Sequence, residues 1–146
     1  MKIEKSIEIN APPEQVWPYF VEPEKVLQWY SSFQAFEYTG DQRSGVGTAL
    51  YIEEKAVGPV MKMDFAVTTW EQKEELAIRM VSPSTLKSYT QQWLLEPTPT
   101  GTRFTFGEEI EFPFGILGKL LGLFARRMSE AAVDRMQAKL KALVEV

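Results

Sequence analysis

Apolar and polar residues alternate with a period of two along most of this chain, and the period lengthens to three or four only near its C-terminal end. Ile3, Ile7 and Ile9 share one parity of the first stretch, and Lys2, Glu4, Ser6 and Glu8 share the other. That pattern predicts a half-buried strand, broken only by Lys5. Asn10-Ala11-Pro12-Pro13-Glu14 ends the strand and opens a short helix whose apolar face holds Val16, Trp17, Phe20 and Val21. Glu22-Pro23-Glu24 restarts a second short helix that buries Val26, Leu27 and Trp29.

Strand patterning then returns over residues 33–39, 48–55, 61–68, 76–81, 86–96 and 103–112. Gly- and Pro-containing turns or polar tips separate these strands, including Gly40 to Gly45, Val57-Gly58-Pro59, Glu71 to Glu74, Ser82-Pro83-Ser84 and Pro97 to Gly101. Connections this short between consecutive strands predict an antiparallel meander. From about Gly115 to Leu143, Leu117, Leu120, Leu121, Phe124, Met128, Ala131, Ala132, Met136, Leu140 and Leu143 recur every three or four residues. They predict one amphipathic helix about 45 Å long. A sheet with one apolar face and a helix with one apolar stripe must pack together, so the expected class is α+β in a single domain over residues 1–146.

A chain of 146 residues buries enough surface for a real core. It contains no Cys and no His, which excludes disulfides, thiolate metal sites, His-based triads and the commonest metal ligand. The acidic residues show no metal-binding spacing, and no Gly-rich phosphate loop follows a strand, so no cofactor is expected. A net charge of −4 with scattered basic residues argues against a nucleic-acid surface. The N-terminus lacks a signal peptide's apolar region, and the longest apolar run, Phe112 to Ala125, is too short to span a bilayer. The expected setting is cytoplasmic, without stable membrane insertion.

Four blocks carry a resemblance. Ile9-Asn10-Ala11-Pro12-Pro13-Glu14-Gln15-Val16-Trp17 resembles the opening motif of START-like proteins, the helix-grip superfamily (SRPBCC) of polyketide cyclases, lipid-transfer domains and plant allergen-like binders. Trp29 with the aromatic strand after it, then Gly45-Val46-Gly47-Thr48, is similar to that superfamily's second block. Pro97 to Arg103 resembles its late hairpin, and Phe114 to Leu121 followed by Arg127-Met128 resembles its last helix. The resemblance implies a curved antiparallel sheet of about seven strands wrapped around the long C-terminal helix, with two short helices after the first strand. It further implies a deep apolar cavity between sheet and helix, and no fixed catalytic set.

The most informative residue is Glu108. It falls on the same parity as Phe104, Phe106, Ile110 and Phe112, so a regular strand points its carboxylate inward. A lone buried carboxyl takes a partner or a raised pKa, which makes Glu108 a candidate acid/base or ligand-orienting group. A bulge at Gly107 would instead turn it to solvent, and an arginine would make it a structural partner. Tyr89, Gln91 and Trp93 share a face of the preceding strand, and Gln91 and the Tyr89 hydroxyl join Glu108 as a possible polar cluster in an apolar hole. Met63, Phe65, Met80, Tyr89, Gln91, Trp93, Phe106, Phe124 and Met128 are the expected ligand-binding wall around Glu108. The methionines serve equally as core filler, and the small Ala131 and Ala132 either leave room or permit close packing. Phe112-Pro113-Phe114 and the glycines after it suggest a lid, a transient membrane contact, or simple loop packing.

The leading functional expectation is binding of a hydrophobic small molecule: a lipid, polyketide or isoprenoid-like compound. A cyclase or dehydratase using Glu108 as acid/base, and a protein-interaction adaptor, are the alternatives. Oligomeric state is left open.

Overall fold

The computed structural model describes residues 1–56 and 58–146, so the Val57 part of one expected turn lies outside the described residues. The chain runs β1 (Lys2–Ile9), α1 (Pro13–Val16), α2 (Pro18–Val21), α3 (Pro23–Trp29), β2 (Phe33–Thr39), β3 (Ala49–Glu54), β4 (Met61–Glu71), β5 (Glu75–Met80), β6 (Ser88–Thr98), β7 (Gly101–Glu111) and α4 (Ile116–Val144). This is the expected α+β helix-grip arrangement. The helical stretch after Pro12 is divided at Pro18, whose missing N–H cannot continue the first turn.

The seven strands form one antiparallel sheet in the order β1-β7-β6-β5-β4-β3-β2. All pairs but one join neighbours in sequence, because the turns are too short for anything else. The exception is β1, which pairs with β7, Ile3 opposite Glu108, and the short helices then carry the chain across to β2 at the far edge. Bulges at Phe33/Ala35 and Val67/Thr69 interrupt the ladders of β2 and β4, and such extra residues bend a sheet. No bulge occurs in β7, which keeps its register from Gly101 to Glu111 against β6. The inner parity of each strand is the apolar one read from the sequence: Leu50 and Ile52, Met63 and Phe65, Leu76 and Ile78, Trp93 and Leu95, Phe104 and Phe106 are all buried.

Two fillings occupy the space over that face. At one end, Phe20 and Trp29 of the short helices meet Trp93 and Phe104 of the sheet, and Trp17 packs on Phe20 and Trp70. Phe20 to Phe104 is 5.1 Å between ring centroids, and Trp29 to Trp93 is 5.2 Å. Edge-on aromatic contacts of this kind pack without voids. The other filling is α4, which lies mainly on β1 and also meets α3 and β7.

The inward face of α4 differs from the expected stripe. Val133, Met136, Gln137 and Leu140 are buried in its second half, whereas in its first half the buried residues are Gly118 and Gly122. Leu117, Leu121, Phe124 and Met128 stand one residue before Gly118, Gly122, Ala125 and Ser129, a rotation of about 100°. The bulky row therefore points outward: Leu117, Leu120, Leu121, Leu123, Phe124 and Met128 are exposed, with Phe124 at 84%. The reason is steric. A Cβ on Gly118 would lie 2.2 Å from the Pro113 carbonyl oxygen and 3.0 Å from that of Phe112, whereas one on Gly122 would make only an ordinary 3.5 Å contact with the Phe112 ring. Only the small side of the helix fits that close to the Phe112–Pro113 backbone. A left-handed turn at Phe114 (φ 76°) and Gly115 (φ 55°) sets the helix off in this direction.

The far end of α4 is tied down by polar contacts. The Glu145 carboxylate accepts the Asn10 backbone N–H at 2.7 Å, and Lys141 Nζ donates to the Glu8 carbonyl at 2.8 Å. The break in the β1 alternation is explained by the same helix, since Lys5 points inward and pairs with Asp134 at 3.3 Å. Among the described residues, no helix is long and apolar enough to cross a membrane.

Candidate functional site

The middle of α4 presents Ser129, Ala132 and Val133 to the sheet, and these residues are too small to fill the space. A cavity of about 330 Å³ remains there. Met61, Ile110, Met128 and Met136 add apolar wall, and Tyr30, Glu54, Tyr89 and Glu108 add polar groups. Lys55 and Arg135, both exposed, stand at its rim, and neither makes an ion pair among the described residues.

The polar floor is built by strand parity. Glu108 on β7 lies opposite Gln91 on β6, and Tyr89 sits two residues along the same face. Glu54 closes the inner row of β3 after Leu50 and Ile52. Tyr30, just past α3, is held by stacking on Phe33 with ring centroids 3.5 Å apart. These side chains converge on the Tyr89 hydroxyl, which lies 2.7 Å from Glu54 Oε1 and 2.9 Å from Glu108 Oε1. Gln91 Nε2 donates to the Tyr89 and Tyr30 hydroxyls, each at 2.7 Å, and Gln91 Oε1 accepts the Trp93 indole N–H at 2.9 Å. Ser32 Oγ donates to the other oxygen of Glu54 at 3.0 Å.

Counting hydrogens constrains the protonation. The Tyr89 hydroxyl has one hydrogen and faces two carboxyl groups. If both were ionised, one buried carboxylate would face a bare oxygen lone pair. Glu54 already accepts from Ser32, so it is the better anion and takes the Tyr89 hydrogen. Glu108 then keeps its own proton and donates it to the Tyr89 oxygen. Burial, with the Glu54 charge adding to it, pushes Glu108 up to about 7. Burial also raises Glu54, while hydrogen bonds from Tyr89, Ser32 and Tyr30 oppose the shift. Both tyrosine hydroxyls are raised, by burial first and the neighbouring carboxylates second, so they remain protonated donors. Below about pH 7 the floor thus holds Glu108 as a neutral carboxylic acid beside the better anion, Glu54, an arrangement suited to acid–base work or recognition of a ligand oxygen.

Of the residues expected at the site, Glu108, Tyr89 and Met128 border the cavity. Gln91 stands one bond behind it and orients both tyrosines. Trp93 belongs to the aromatic filling at the other end, and Phe106 packs against Tyr30. Met63 and Phe65 are buried in the sheet's inner layer, and Met80 is half-buried on β5, away from the opening. Phe124 points to solvent with the outer row of α4. Ala132 borders the cavity, whereas Ala131 is exposed. Glu54, Tyr30 and Arg135 were not singled out from the sequence. The inner parity shared with Leu50 and Ile52 was available as a signal for Glu54; Tyr30 and Arg135 had none.

The family model described as polyketide cyclase / dehydrase and lipid transport matches residues 1–145. The chain belongs to this family. Solved structures similar to this polyketide cyclase/dehydrase and lipid-transport family member share its fold at low identity. A Thermus thermophilus protein superposes with a TM-score of 0.80 at 19% identity, covering 99% of this chain and 97% of that one. A START superfamily protein from Mycobacterium smegmatis gives 0.78 at 14% identity, covering 99% and 97%. The Zhui aromatase/cyclase of a Streptomyces species gives 0.75 at 15% identity, covering 99% and 93%. Among curated proteins none matches the chain. At these identities the superpositions establish the START-like fold of this family member, and its chemistry has to be argued from its own cavity.

Proposed function

We propose that this protein binds a hydrophobic small molecule of the lipid, polyketide or isoprenoid kind between the sheet and α4. The observation that carries the reading is the cavity itself, about 330 Å³ with thioether, Ile and Ala walls and one convergent polar cluster. Apolar walls with a few satisfied polar groups are what small-molecule sites consist of. Tyr89 and Glu108, though buried, border this cavity. The ligand's apolar body lies against Met61, Met128 and Met136, and an oxygen of the ligand meets the acid or phenol on the floor.

The test is native mass spectrometry of the freshly purified protein, with extraction and identification of whatever leaves on denaturation. A discrete added mass is the expected result, and it disappears in Ala132→Phe, which fills the cavity. An apo mass, together with no uptake of a fluorescent fatty acid, would overturn the reading.

One observation favours catalysis as a second reading: a carboxylic acid that stays protonated up to about 7 on the cavity floor. In a dehydration, Glu108 would protonate a leaving hydroxyl, which departs as water. The resulting carboxylate would then take a proton from the adjacent carbon, forming the double bond and restoring the acid. Glu108→Gln separates the two readings. A carrier keeps its ligand with altered affinity, and an enzyme keeps binding but loses turnover.

A further inference from the structure

The outer row of α4 is the largest departure from an ordinary surface in this molecule. Large side chains from Leu117 to Met128 stand in solvent on one face of one helix, where a soluble domain normally scatters such residues singly. The charge around them is equally one-sided. Between Glu111 and Glu130 the chain carries Lys119, Arg126 and Arg127 and no acidic residue, in a protein whose net charge is −4. By the ~100° step per residue, Lys119 and Arg126 lie side by side along one edge of the apolar face, next to Leu123, and Arg127 stands within that face between Leu123 and Leu120. Arg126 has a partner in Glu130 at 2.9 Å, while Lys119 and Arg127 have none among the described residues.

We propose that this face of α4 docks on an anionic lipid surface, lying in the plane of the interface. The chemistry fits on both counts: bulky apolar residues for the acyl boundary, and cations beside them for the headgroups. A second copy of the chain is disfavoured by the same charges, because a two-fold contact would press one basic row against its equal. The turn that aims the face is fixed from behind, since Gly118 against Pro113 leaves the helix one way to pack. Met128 belongs to both the exposed row and the cavity wall, so docking brings the cavity's rim to the lipid. The inference stands independently of what the cavity holds.

The experiment is flotation of the full chain with vesicles of phosphatidylcholine, with and without phosphatidylglycerol, no other ligand being added. Binding to the anionic vesicles alone, weakening as salt is raised, is expected. Leu123→Asp with Phe124→Asp abolishes it. Lys119→Glu with Arg127→Glu weakens it at least about thirtyfold and preserves the apolar row. All four positions are exposed, and circular dichroism verifies that each variant is folded. Absence of binding to anionic vesicles, binding indifferent to both variants, or a dimer in sedimentation that Leu123→Asp dissociates would each overturn the proposal.

Discussion

One hydrogen on the Tyr89 oxygen, between two carboxyl groups, decides how the site titrates. Glu108 is raised from 4.5 to about 7, so between those values the folded chain binds a proton that the unfolded chain releases. Stability therefore falls as pH rises through that window and levels off above it. The share due to Glu108 is on the order of 3–4 kcal/mol. Glu108→Gln keeps the shape and the hydrogen bonding without the titration. Urea unfolding at about pH 5 and about pH 8 should show a flatter dependence in the variant and a gain over the wild type at the higher value. Tyr89→Phe acts differently. It leaves Gln91 and both carboxyl groups short of a partner, and should cost about 1–3 kcal/mol at either pH. The alternation of β7 made Glu108 legible, because a regular strand leaves its side chain no other direction. Glu54 obeyed the same rule on β3. It stands at the end of β3, next to a turn, and strand patterning alone does not show which end of a strand is roofed.

At the scale of the element, α4 separates what periodicity determines from what packing determines. The three-to-four spacing was sufficient to place a helix within a residue or two of Ile116–Val144. It did not choose between two rows one residue apart, and bulk favoured the wrong one over the first half. The deciding contact involves backbone atoms of Phe112 and Pro113, which no side-chain pattern reports. Gly118→Ala tests this directly. A methyl group normally gains about 1 kcal/mol in a helix interior, yet here it meets carbonyl oxygens at 2.2 and 3.0 Å. The expected result is a net loss of about 1–3 kcal/mol, with faster hydrogen exchange confined to residues 112–128. Improved stability would mean that the helix does not approach the loop as described.

For the whole molecule, the meander from β2 to β7 followed from short turns and the one-sided alternation, whereas the place of β1 beside β7 did not. The cavity was expected from the family resemblance, and the small Ala131 and Ala132 were compatible both with room and with close packing. Its position depends on where the aromatic filling from Phe20, Trp29 and Trp93 stops, a volume balance between distant segments. The distribution of charge has a consequence at this scale. With +3 gathered in residues 112–129 of a chain at −4, the remainder carries −7. The molecule is an electric dipole, and near an anionic surface every other side is pushed away. Association with such a surface should slow steeply as the Debye length shrinks from about 30 Å to about 8 Å, which stopped-flow measurements at rising salt would register. The chain would arrive already turned, helix foremost, before any side chain touched lipid.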